Sequence, residues 1–445
     1  MSQRHVVVIG NGISGTSFAR ALRKRSNHRI TLISSESDYF FSRPAMMYVY
    51  MGQLREEQLK PYGDDFWEKN KIERKRAFVQ RIDPSTSLLH FDDGSSMVYD
   101  DLVIASGSER ESVHWHGEHF GAIHGFVTLD DLQMITQQSD SIRKAVVIGG
   151  GLIGVELAEM FRSKNIQVTY LVREFQFWNR VLPDHESSMI EQHLVADHGV
   201  NLKMGVEVKE FKGDEEGNVR AVITTSGEEI DCDFAGICIG VKPRIGFLAE
   251  SGIQCNKGIL IDASFRTSVK NIYAIGDCAE FSPALPGRLA IEQNWYTGRM
   301  HGETLAEIIS GSPSVYRPSN YFNSSKLFDI EFQVYSRETV LSDKLKSVFW
   351  ENHAQRRCIR IYYDDSTLRF EGVSALGIRL RHEVCDRWLN ENKSVEDVLT
   401  HLCDLNFDQE FALPFEQEVL DLYNRESGKN LRLKKRDFKR IFQWR

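Results

Sequence analysis

The chain carries two glycine-rich loops of the same kind, and this repetition constrains its fold more than any other feature. Residues 5–25 read HVVVIGNGISGTSFARALRKR, and residues 144–163 read KAVVIGGGLIGVELAEMFRS. In each stretch an apolar, strand-like run meets the pattern G-x-G-x-x-G and continues with the apolar spacing of a helix. Such a loop lets backbone N–H groups approach a pyrophosphate closely at the start of a helix. The repetition therefore predicts two dinucleotide-binding units.

The contacts expected at these loops follow from the pattern. The residues expected to contact the first dinucleotide are Gly10, Gly12, Ile13, Ser14 and Gly15, and those expected to contact the second are Gly149, Gly151, Leu152, Ile153 and Gly154. Glu36 follows the strand-like run RITLIS, where an acid commonly binds the ribose. The alternative for either loop alone is a structural βαβ unit with fortuitous glycines, and finding two together favours binding.

Composition narrows the remaining classes. A chain of 445 residues is too long for one core, so we expect two or three domains. A formal charge of −8 gives no global attraction to nucleic acid, and no stretch reaches the ~18 apolar residues of a membrane span. The first residues lack the features of a signal peptide. The seven cysteines contain no C-x-x-C pair, so neither a metal site nor a disulfide framework is expected, and we predict a reduced, cytoplasmic protein.

Three more motifs add a family resemblance. They are YDDLVIASGS at 99–108, GVKPRIGFLAESGI at 240–253 and GILIDASFRTSVKNIYAIGDCAE at 258–280. Together with the two loops, over residues 5–310, they resemble the FAD/NAD(P)-dependent pyridine nucleotide-disulfide oxidoreductase superfamily. The resemblance implies an α/β protein with two doubly wound, Rossmann-like dinucleotide-binding domains of the glutathione reductase type and an α+β C-terminal domain.

The same resemblance implies a domain layout. Residues 1–112 and 245–318 form the FAD-binding domain, residues 113–244 form the NAD(P)H-binding domain, and residues 319–445 form the C-terminal domain with its basic tail. Within the last of these, CIRIYYDDSTLRFEGVSALGIRL predicts strands and RHEVCDRWLNEN predicts a helix. Family members use this region to complete the flavin site and often to dimerise, so a homodimer is one implied assembly.

Several cofactor contacts are implied by the resemblance. The first loop holds FAD and the second holds NADH or NADPH. Further expected FAD contacts lie at the crossings between domains, in the second FAD motif and at the start of the following helix: Ala105, Ser106, Gly107, Gly240, Gly276, Asp277, Glu292 and Trp295, with Gln293 and Asn294 nearby. Asp277 matches the acid that binds the ribityl chain, and the helix is expected to aim its N-terminus at the flavin ring. For Trp295 a position in the core is the alternative.

The choice of nicotinamide coenzyme is open. Arg173 follows the strand VTYLV, and Arg180 lies seven residues further on. Arginine there is typical of a site for the 2′-phosphate of NADPH. Glu174, next to Arg173, could instead bind the 2′-hydroxyl of NADH. Exposed arginines without a coenzyme contact are the third interpretation.

The segment FFSRPAM, residues 40–46, contains no cysteine where thiol-dependent members carry one. It resembles the ferredoxin, rubredoxin and nitrite reductase branch, which implies that Arg43 and Pro44 contact the flavin. By the same resemblance, Glu156 matches an acid that lies near the stacked flavin and nicotinamide rings, and it is the candidate catalytic residue. An ordinary carboxylate near a helix start is the alternative, because the lysine that often pairs with this acid is replaced by Met46-Met47-Tyr48.

The implied activity is hydride transfer from NAD(P)H to FAD, followed by electron transfer to a protein carrier such as a ferredoxin or rubredoxin. Two alternatives are an NADH-responsive flavoprotein resembling apoptosis-inducing factor and the reductase subunit of an oxygenase or larger complex. The tail GKNLRLKKRDFKRIFQWR is strongly basic. It is either a docking arm for an acidic carrier or a solvated surface.

Overall fold

The structure is a computed structural model that describes residues 3–179, 181–408 and 413–434. The chain divides into two compact units. The large unit consists of Met1–Asn179 and Leu194–Arg317, and the small unit consists of Arg180–His193 and Pro318–Arg445. The three-domain layout inferred from the resemblance stays a prediction, because this division does not separate the two nucleotide-binding domains.

The large unit contains two five-stranded parallel sheets that repeat one design. The strands of the first lie in the order Ile72–Arg76, Arg29–Ser34, His5–Ile9, Asp101–Ile104 and Ile272–Ala274. Counted along the chain, this is the doubly wound order 3-2-1-4-5. The central strand is buried on both faces, which explains its uninterrupted run of valines.

The second sheet is built in the same way around the second glycine loop. Its strands lie in the order Asn201–Met204, Gln167–Val172, Lys144–Ile148, Phe234–Ile237 and Ile123–His124, all parallel. The two sheets confirm the predicted α/β class with two Rossmann-like units.

Shorter strands and the helices complete the large unit. Two antiparallel sheets have three strands each: one consists of Val79–Asp83, Leu88–Phe91 and Ser96–Val98, and the other of Val208–Gly213, Val219–Thr224 and Glu229–Asp231. Strand Ser108–Arg110 pairs antiparallel with Val241–Pro243. Strand Ile259–Ile261 pairs in parallel with Ala279–Phe281. The α-helices are Ile13–Arg25, Met46–Tyr50, Asp65–Lys69, Leu129–Gln138, Leu152–Ser163 and Trp295–Ile309. In the described residues, no helix has the length and apolar character that crossing a bilayer requires.

The small unit is an antiparallel sheet with helices. Its strands lie in the order Tyr321–Leu327, Ile330–Ser336, Phe370–Leu376, Arg357–Tyr363 and Lys346–Asn352, and its helices are Asp184–Gln192, His382–Asn390, Val395–Thr400 and Glu416–Ser427. The strands and the helix predicted in the C-terminal region are therefore confirmed. A bidentate ion pair joins Glu186 to Arg360, with N···O distances of 2.6 and 2.8 Å and side chains only 3% and 13% exposed.

Candidate nucleotide sites

The first glycine loop is shaped by close backbone contacts. Gly10 has a φ of +109°, and a Cβ there would lie 2.0 Å from the carbonyl oxygen of Ala105. A Cβ at Gly15 would lie 2.0 Å from the carbonyl oxygen of Gly10. A Cβ at Gly12, in contrast, would meet no atom within 4 Å. Packing therefore requires Gly10 and Gly15, whereas Gly12 faces open space.

Helix Ile13–Arg25 begins at this open space. Gly12 is its N-cap, no side chain caps the first turn, and that turn carries no acid. In the part of the chain that the structure describes, the N–H groups of Gly12 and Ile13 donate to no protein acceptor. Free donors and the positive end of the helix suit an anion such as a pyrophosphate. Ser14 is buried, and its Oγ faces Gly276, where a Cβ would lie 2.3 Å away.

The second glycine loop repeats this geometry. Gly149 has a φ of +114°, and its Cβ would lie 2.3 Å from the carbonyl oxygen of Cys238. A Cβ at Gly154 would lie 2.4 Å from the carbonyl oxygen of Gly149, and one at Gly151 would meet nothing within 4 Å. Helix Leu152–Ser163 starts without a side-chain cap or an acid in its first turn. Leu152 and Ile153 are half-buried in this turn. Both loops thus fit a dinucleotide in the same way.

Glu36 and Arg43, predicted separately, are brought together. The guanidinium of Arg43 donates to both carboxylate oxygens of Glu36, at 3.1 and 2.7 Å, and the N–H of Leu129 donates to one of them at 2.9 Å. Burial raises the pKa of Glu36, but these bonds more than offset it and leave the pKa below its usual value. Arg43 also donates to the carbonyl oxygen of Val127. Pro44 is exposed beside Arg43 in a single 3₁₀ turn.

Apolar residues occupy the place of the missing lysine. Met46 and Met47 are buried in helix Met46–Tyr50, which packs against helix Leu152–Ser163. The ring of Tyr50 meets Phe161 edge-on, with centroids 6.1 Å apart. The loss of the lysine is thus accommodated by packing between the segment after FFSRPA and the helix that carries Glu156.

Glu156 is half-buried on that helix. In the described residues, its carboxylate has no hydrogen-bond or ion-pair partner. Burial, with a smaller contribution from the nearby charge of Glu159, raises the pKa of Glu156 to about 7. A carboxyl group of this kind can gain or lose a proton near neutral pH, as general acids and bases do.

The two crossings between the sheets lie side by side. Strand Ser108–Arg110 pairs with strand Val241–Pro243, and each follows a glycine with positive φ, +71° at Gly107 and +127° at Gly240. A Cβ at either glycine would meet no atom within 4 Å. The hydroxyl of Ser106 donates to the carbonyl oxygen of Arg244 at 2.7 Å, which ties one crossing to the other. Ala105 is buried against Gly10.

A hydrogen-bonded cluster joins distant segments at these crossings. The hydroxyl of Ser108 donates to Asp277 Oδ2 at 2.9 Å and accepts from Gln293 Nε2 at 3.1 Å. Gln293 also donates to the carbonyl oxygen of Val241 at 3.3 Å. Burial raises the pKa of Asp277, although the bond from Ser108 opposes the shift. Sequence reasoning missed Ser108, and no local pattern could have found a partner 169 residues away.

The helix after the second FAD motif starts with a capped turn. Asn294 is the N-cap, and its side-chain oxygen accepts from the N–H groups of Tyr296 and Thr297. Trp295 is 38% exposed, which excludes the core position considered for it. Glu292 pairs instead with Arg288 at 2.8 Å, with side chains 7% and 3% exposed. The carboxylate of Glu292 thus has a structural partner, and its contact with a cofactor stays a prediction.

Of the residues expected to determine the preference for NADH or NADPH, the structure describes Arg173 and Glu174. Arg173 follows strand Gln167–Val172 at the carboxyl edge of the second sheet, and its guanidinium donates to Glu174 at 2.9 Å. Arg173, expected to bind the 2′-phosphate of NADPH, is therefore paired with Glu174, expected to bind the 2′-hydroxyl of NADH. Arg180 lies outside the described residues. None of the seven cysteines, all of which lie in the described residues, forms a disulfide.

Comparisons with known proteins agree with this geometry. A model for the family "pyridine nucleotide-disulphide oxidoreductase" matches residues 4–302. The ferredoxin–NAD(+) reductase subunit of the benzene 1,2-dioxygenase system of Pseudomonas putida is 28% identical over 309 residues, which are 69% of this chain and 74% of that protein. A ferredoxin–NAD(P)(+) reductase of Sphingomonas sp. is 30% identical over 336 residues, 74% of this chain and 80% of that protein.

A solved structure shows the same fold. A chain of the covalent putidaredoxin reductase–putidaredoxin complex matches with a TM-score of 0.78 at 23% identity. The match covers 89% of this chain and 95% of that chain.

Proposed function

Because the chain belongs to the pyridine nucleotide-disulphide oxidoreductase family, we propose that it is an FAD-dependent NAD(P)H oxidoreductase that delivers electrons to a protein carrier, such as a ferredoxin or rubredoxin. The observation that carries this proposal is the pair of matching dinucleotide cradles, at Gly12 and Gly151, within one compact unit. The names of the Pseudomonas and Sphingomonas relatives support the protein carrier as acceptor.

Different residues of the chain would bind FAD, bind NAD(P)H and hold a proton near the reacting rings. The first loop, with Glu36 and Arg43, would hold FAD, and the cluster around Asp277 would hold its ribityl chain. The second loop would hold the pyrophosphate of NAD(P)H. When bound, FAD supplies the conversion from two-electron to one-electron transfer. Glu156 would hold or release a proton near the site of hydride transfer, and the exposed Trp295 would lie at the helix end that faces the flavin.

The cysteines bear on where the protein works. Five of the seven thiols are buried, and Cys278, next to Asp277, contacts the carbonyl oxygens of Ile104 and Ile275. Buried thiols in apolar surroundings are inert packing groups rather than electron relays. We propose that the chain acts in the reducing cytoplasm and passes electrons without a thiol relay.

Stopped-flow mixing under anaerobic conditions tests the activity. NADH and NADPH are mixed in parallel with the FAD-loaded protein, and the faster of the two is then used in turnover with a ferredoxin, a rubredoxin and ferricyanide. We expect fast loss of the oxidised flavin absorbance and many turnovers with at least one protein carrier. Fast flavin reduction without turnover on any protein carrier would contradict the proposal. Reduced flavin that persists in air for minutes while the protein dimerises would support the signalling alternative instead.

A matched pair of variants separates the two cradles. Gly151→Asp places a carboxylate in the open space where the second pyrophosphate would lie, so reduction by NAD(P)H should be lost while dithionite still reduces the flavin. Gly12→Asp should prevent FAD retention. If both variants lose FAD equally, the assignment of the two cradles is wrong.

A narrower candidate is the reductase component of an oxygenase system. It is favoured by the name of the Pseudomonas putida relative, which belongs to the benzene 1,2-dioxygenase system. The test is turnover with Rieske-type and plant-type ferredoxins side by side. A preference for the Rieske-type carrier of at least tenfold in kcat/KM would support this candidate, and equal rates would contradict it.

A further inference from the structure

A buried tyrosine contacts the second glycine loop from the neighbouring strand. Tyr170 lies in strand Gln167–Val172 and is fully buried. Its hydroxyl donates to the carbonyl oxygens of Gly149, at 3.0 Å, and Gly151, at 3.2 Å. One hydroxyl proton is therefore shared between two carbonyl groups that flank the turn of the loop. Burial, and to a lesser degree Cys238, raises the pKa of Tyr170, so the phenol stays protonated and remains a donor.

The first loop is held in a different way, which makes it an internal comparison. Val8 is in register with Leu32, and Val147, its counterpart before the second loop, is in register with Tyr170. Leu32 has no hydroxyl to offer. In the first loop the side chain of Asn11 donates instead to the carbonyl oxygens of Ser37, at 2.8 Å, and Tyr39, at 3.1 Å.

The second loop has no room for the asparagine side chain that forms these hydrogen bonds in the first loop. Gly150 is the counterpart of Asn11, and a Cβ at Gly150 would lie 2.7 Å from Val172 Cγ1. An asparagine there would collide with the strand. Gly154 in turn leaves room for the tyrosine, because a Cβ at Gly154 would lie 2.4 Å from Tyr170 Oη. The second loop therefore accepts its hydroxyl hydrogen bonds from the neighbouring strand, whereas the first loop accepts one from Thr16 of its own helix, at the carbonyl oxygen of Asn11, 2.9 Å away.

The bond from Tyr170 to Gly149 orients one of the loop's donors, and the carbonyl of Gly151 accepts both from Tyr170 and from the N–H of Val155, at 3.2 Å, which is the first hydrogen bond of the helix. In a planar trans peptide the C=O and the N–H point in opposite directions. The carbonyl of Gly149 shares its peptide with the N–H of Gly150, and that of Gly151 shares its peptide with the N–H of Leu152. With both carbonyls turned toward Tyr170, these two N–H groups point away from the strand. Among the described residues, neither donates to a protein acceptor.

We propose that Tyr170 is a positioning residue for the nicotinamide nucleotide: it orients the N–H group of Gly150 toward the pyrophosphate and, together with the helix bond from Val155, holds that of Leu152 in the same direction. The proposal rests on the proposed function only for the assignment of the second loop to NAD(P)H. It predicts that Tyr170 affects affinity for any ligand with that pyrophosphate, regardless of the ribose 2′-group, and leaves FAD binding unaffected.

The test is Tyr170→Phe, which removes the hydroxyl and keeps the ring. Stopped-flow flavin reduction across a range of NADH and NADPH concentrations separates the Kd from the limiting rate constant. Calorimetry with ADP-ribose measures pyrophosphate binding without redox chemistry. We expect the Kd for all three ligands to rise on the order of tenfold, the effect of losing about 1.4 kcal/mol, while the limiting rate and FAD content stay within about twofold.

Tyr99→Phe is the matched control, because Tyr99 is a buried tyrosine of the same unit far from the second loop in sequence. It should leave the three Kd values unchanged. If Tyr170→Phe does not yield folded protein, Tyr170→Leu takes the side chain found at the first loop and provides the same comparison.

Three outcomes are decisive. Unchanged Kd values in Tyr170→Phe would overturn the proposal, as would an equal loss of FAD content and nucleotide affinity, which would indicate general destabilisation. A raised Kd for NADPH alone would also overturn it, because the pyrophosphate is common to all three ligands. Failure of every protein carrier to accept electrons would contradict the proposed function but would not change the Kd for ADP-ribose measured by calorimetry.

Discussion

Three acids of the large unit, Asp101, Glu156 and Asp277, hold their protons more tightly than ordinary carboxyl groups because burial raises the pKa of each. Asp101 begins strand Asp101–Ile104, its side chain is 1% exposed, and its carboxylate contacts the guanidinium of Arg4 at 2.8 Å. Burial raises the pKa of Asp101 to about 6, although Arg4 opposes the shift. One partly exposed guanidinium therefore does not offset the cost of burying the charge.

Asp101→Asn should change how stability depends on pH. The pKa in the folded protein, about 6, lies above the usual value for an unfolded chain, so the folded protein binds more protons between about pH 4 and 6. The contribution of Asp101 to stability is complete below pH 4 and is lost as pH rises through 6. We predict that, from pH 4 to 8, the difference in unfolding free energy moves in favour of the variant by about 2–3 kcal/mol.

Chemical denaturation at a series of pH values measures this difference. Asp100→Asn is the control, because the neighbouring Asp100 is exposed and should show no comparable gain. A stability difference between Asp101→Asn and wild type that is constant across the range would show that folding does not raise the pKa of Asp101.

Glu156→Gln should remove a pH dependence from flavin reduction. The pKa of Glu156 is raised to about 7, so its carboxyl is neutral below that pH and ionised above it. Hydride transfer adds negative charge to the flavin, and an ionised Glu156 nearby would oppose it. The rate constant should therefore fall as pH rises through 7 in wild type, and the variant should keep the low-pH rate throughout.

Glu159→Gln provides the matched control for this titration. The charge of Glu159 contributes to the raised pKa of Glu156, so its removal should shift the transition to lower pH without abolishing it. If wild type and Glu156→Gln show the same pH profile, Glu156 is not the titrating group.

At the scale of elements, two helices of the large unit approach each other through glycines. Helix Ile13–Arg25, which begins at the first loop, packs along helix Trp295–Ile309. A Cβ at Gly302 would lie 2.4 Å from the carbonyl oxygen of Ser14 and 2.7 Å from the backbone nitrogen of Phe18. Backbone atoms cannot rotate away, so this contact fixes the position of the helix that starts at the first cradle.

Gly302→Ala should destabilise the large unit. Forcing a methyl group into this contact should lower the free energy of unfolding by about 2–3 kcal/mol, and FAD should dissociate faster because the start of helix Ile13–Arg25 shifts. Thermal unfolding and flavin fluorescence measure the two effects. Glu303→Ala, on an exposed position of the same helix, should stay within about 0.5 kcal/mol of wild type. Equal effects of the two variants would show that the helices can move apart freely.

Local elements could be predicted from the sequence, and long-range contacts could not. Both strand–loop–helix units were predictable because the glycine spacing and the apolar run are contiguous. The cluster of Ser108, Asp277 and Gln293 joins segments up to 185 residues apart, and no local pattern encodes such contacts. For the same reason, no sequence pattern indicates that Glu186, within the predicted nicotinamide domain, pairs with Arg360 of the C-terminal region.

At the scale of the whole molecule, the distribution of cysteines decides how many electrons one chain can store. Cys232 and Cys238 flank strand Phe234–Ile237, and a rise of about 3.3 Å per residue places them about 20 Å apart. Cys358 and Cys385 are buried in the small unit, and Cys255 is exposed. No disulfide joins any of the seven, all of which lie in the described residues, and a disulfide would need two Cα atoms within about 7 Å of each other.

A reductive titration should therefore stop at two electrons per chain. With one FAD bound, anaerobic dithionite should bleach the flavin in a single stage, and the number of thiols that react with Ellman's reagent after denaturation should be the same before and after reduction. Cys278→Ala, which removes the thiol next to Asp277, should leave the count at two because that thiol is a buried packing group. Uptake of four electrons with two new thiols, or fewer electrons taken up by Cys278→Ala than by wild type, would show that sulfur takes part. The chain would then use the mechanism of the thiol-dependent members of its family.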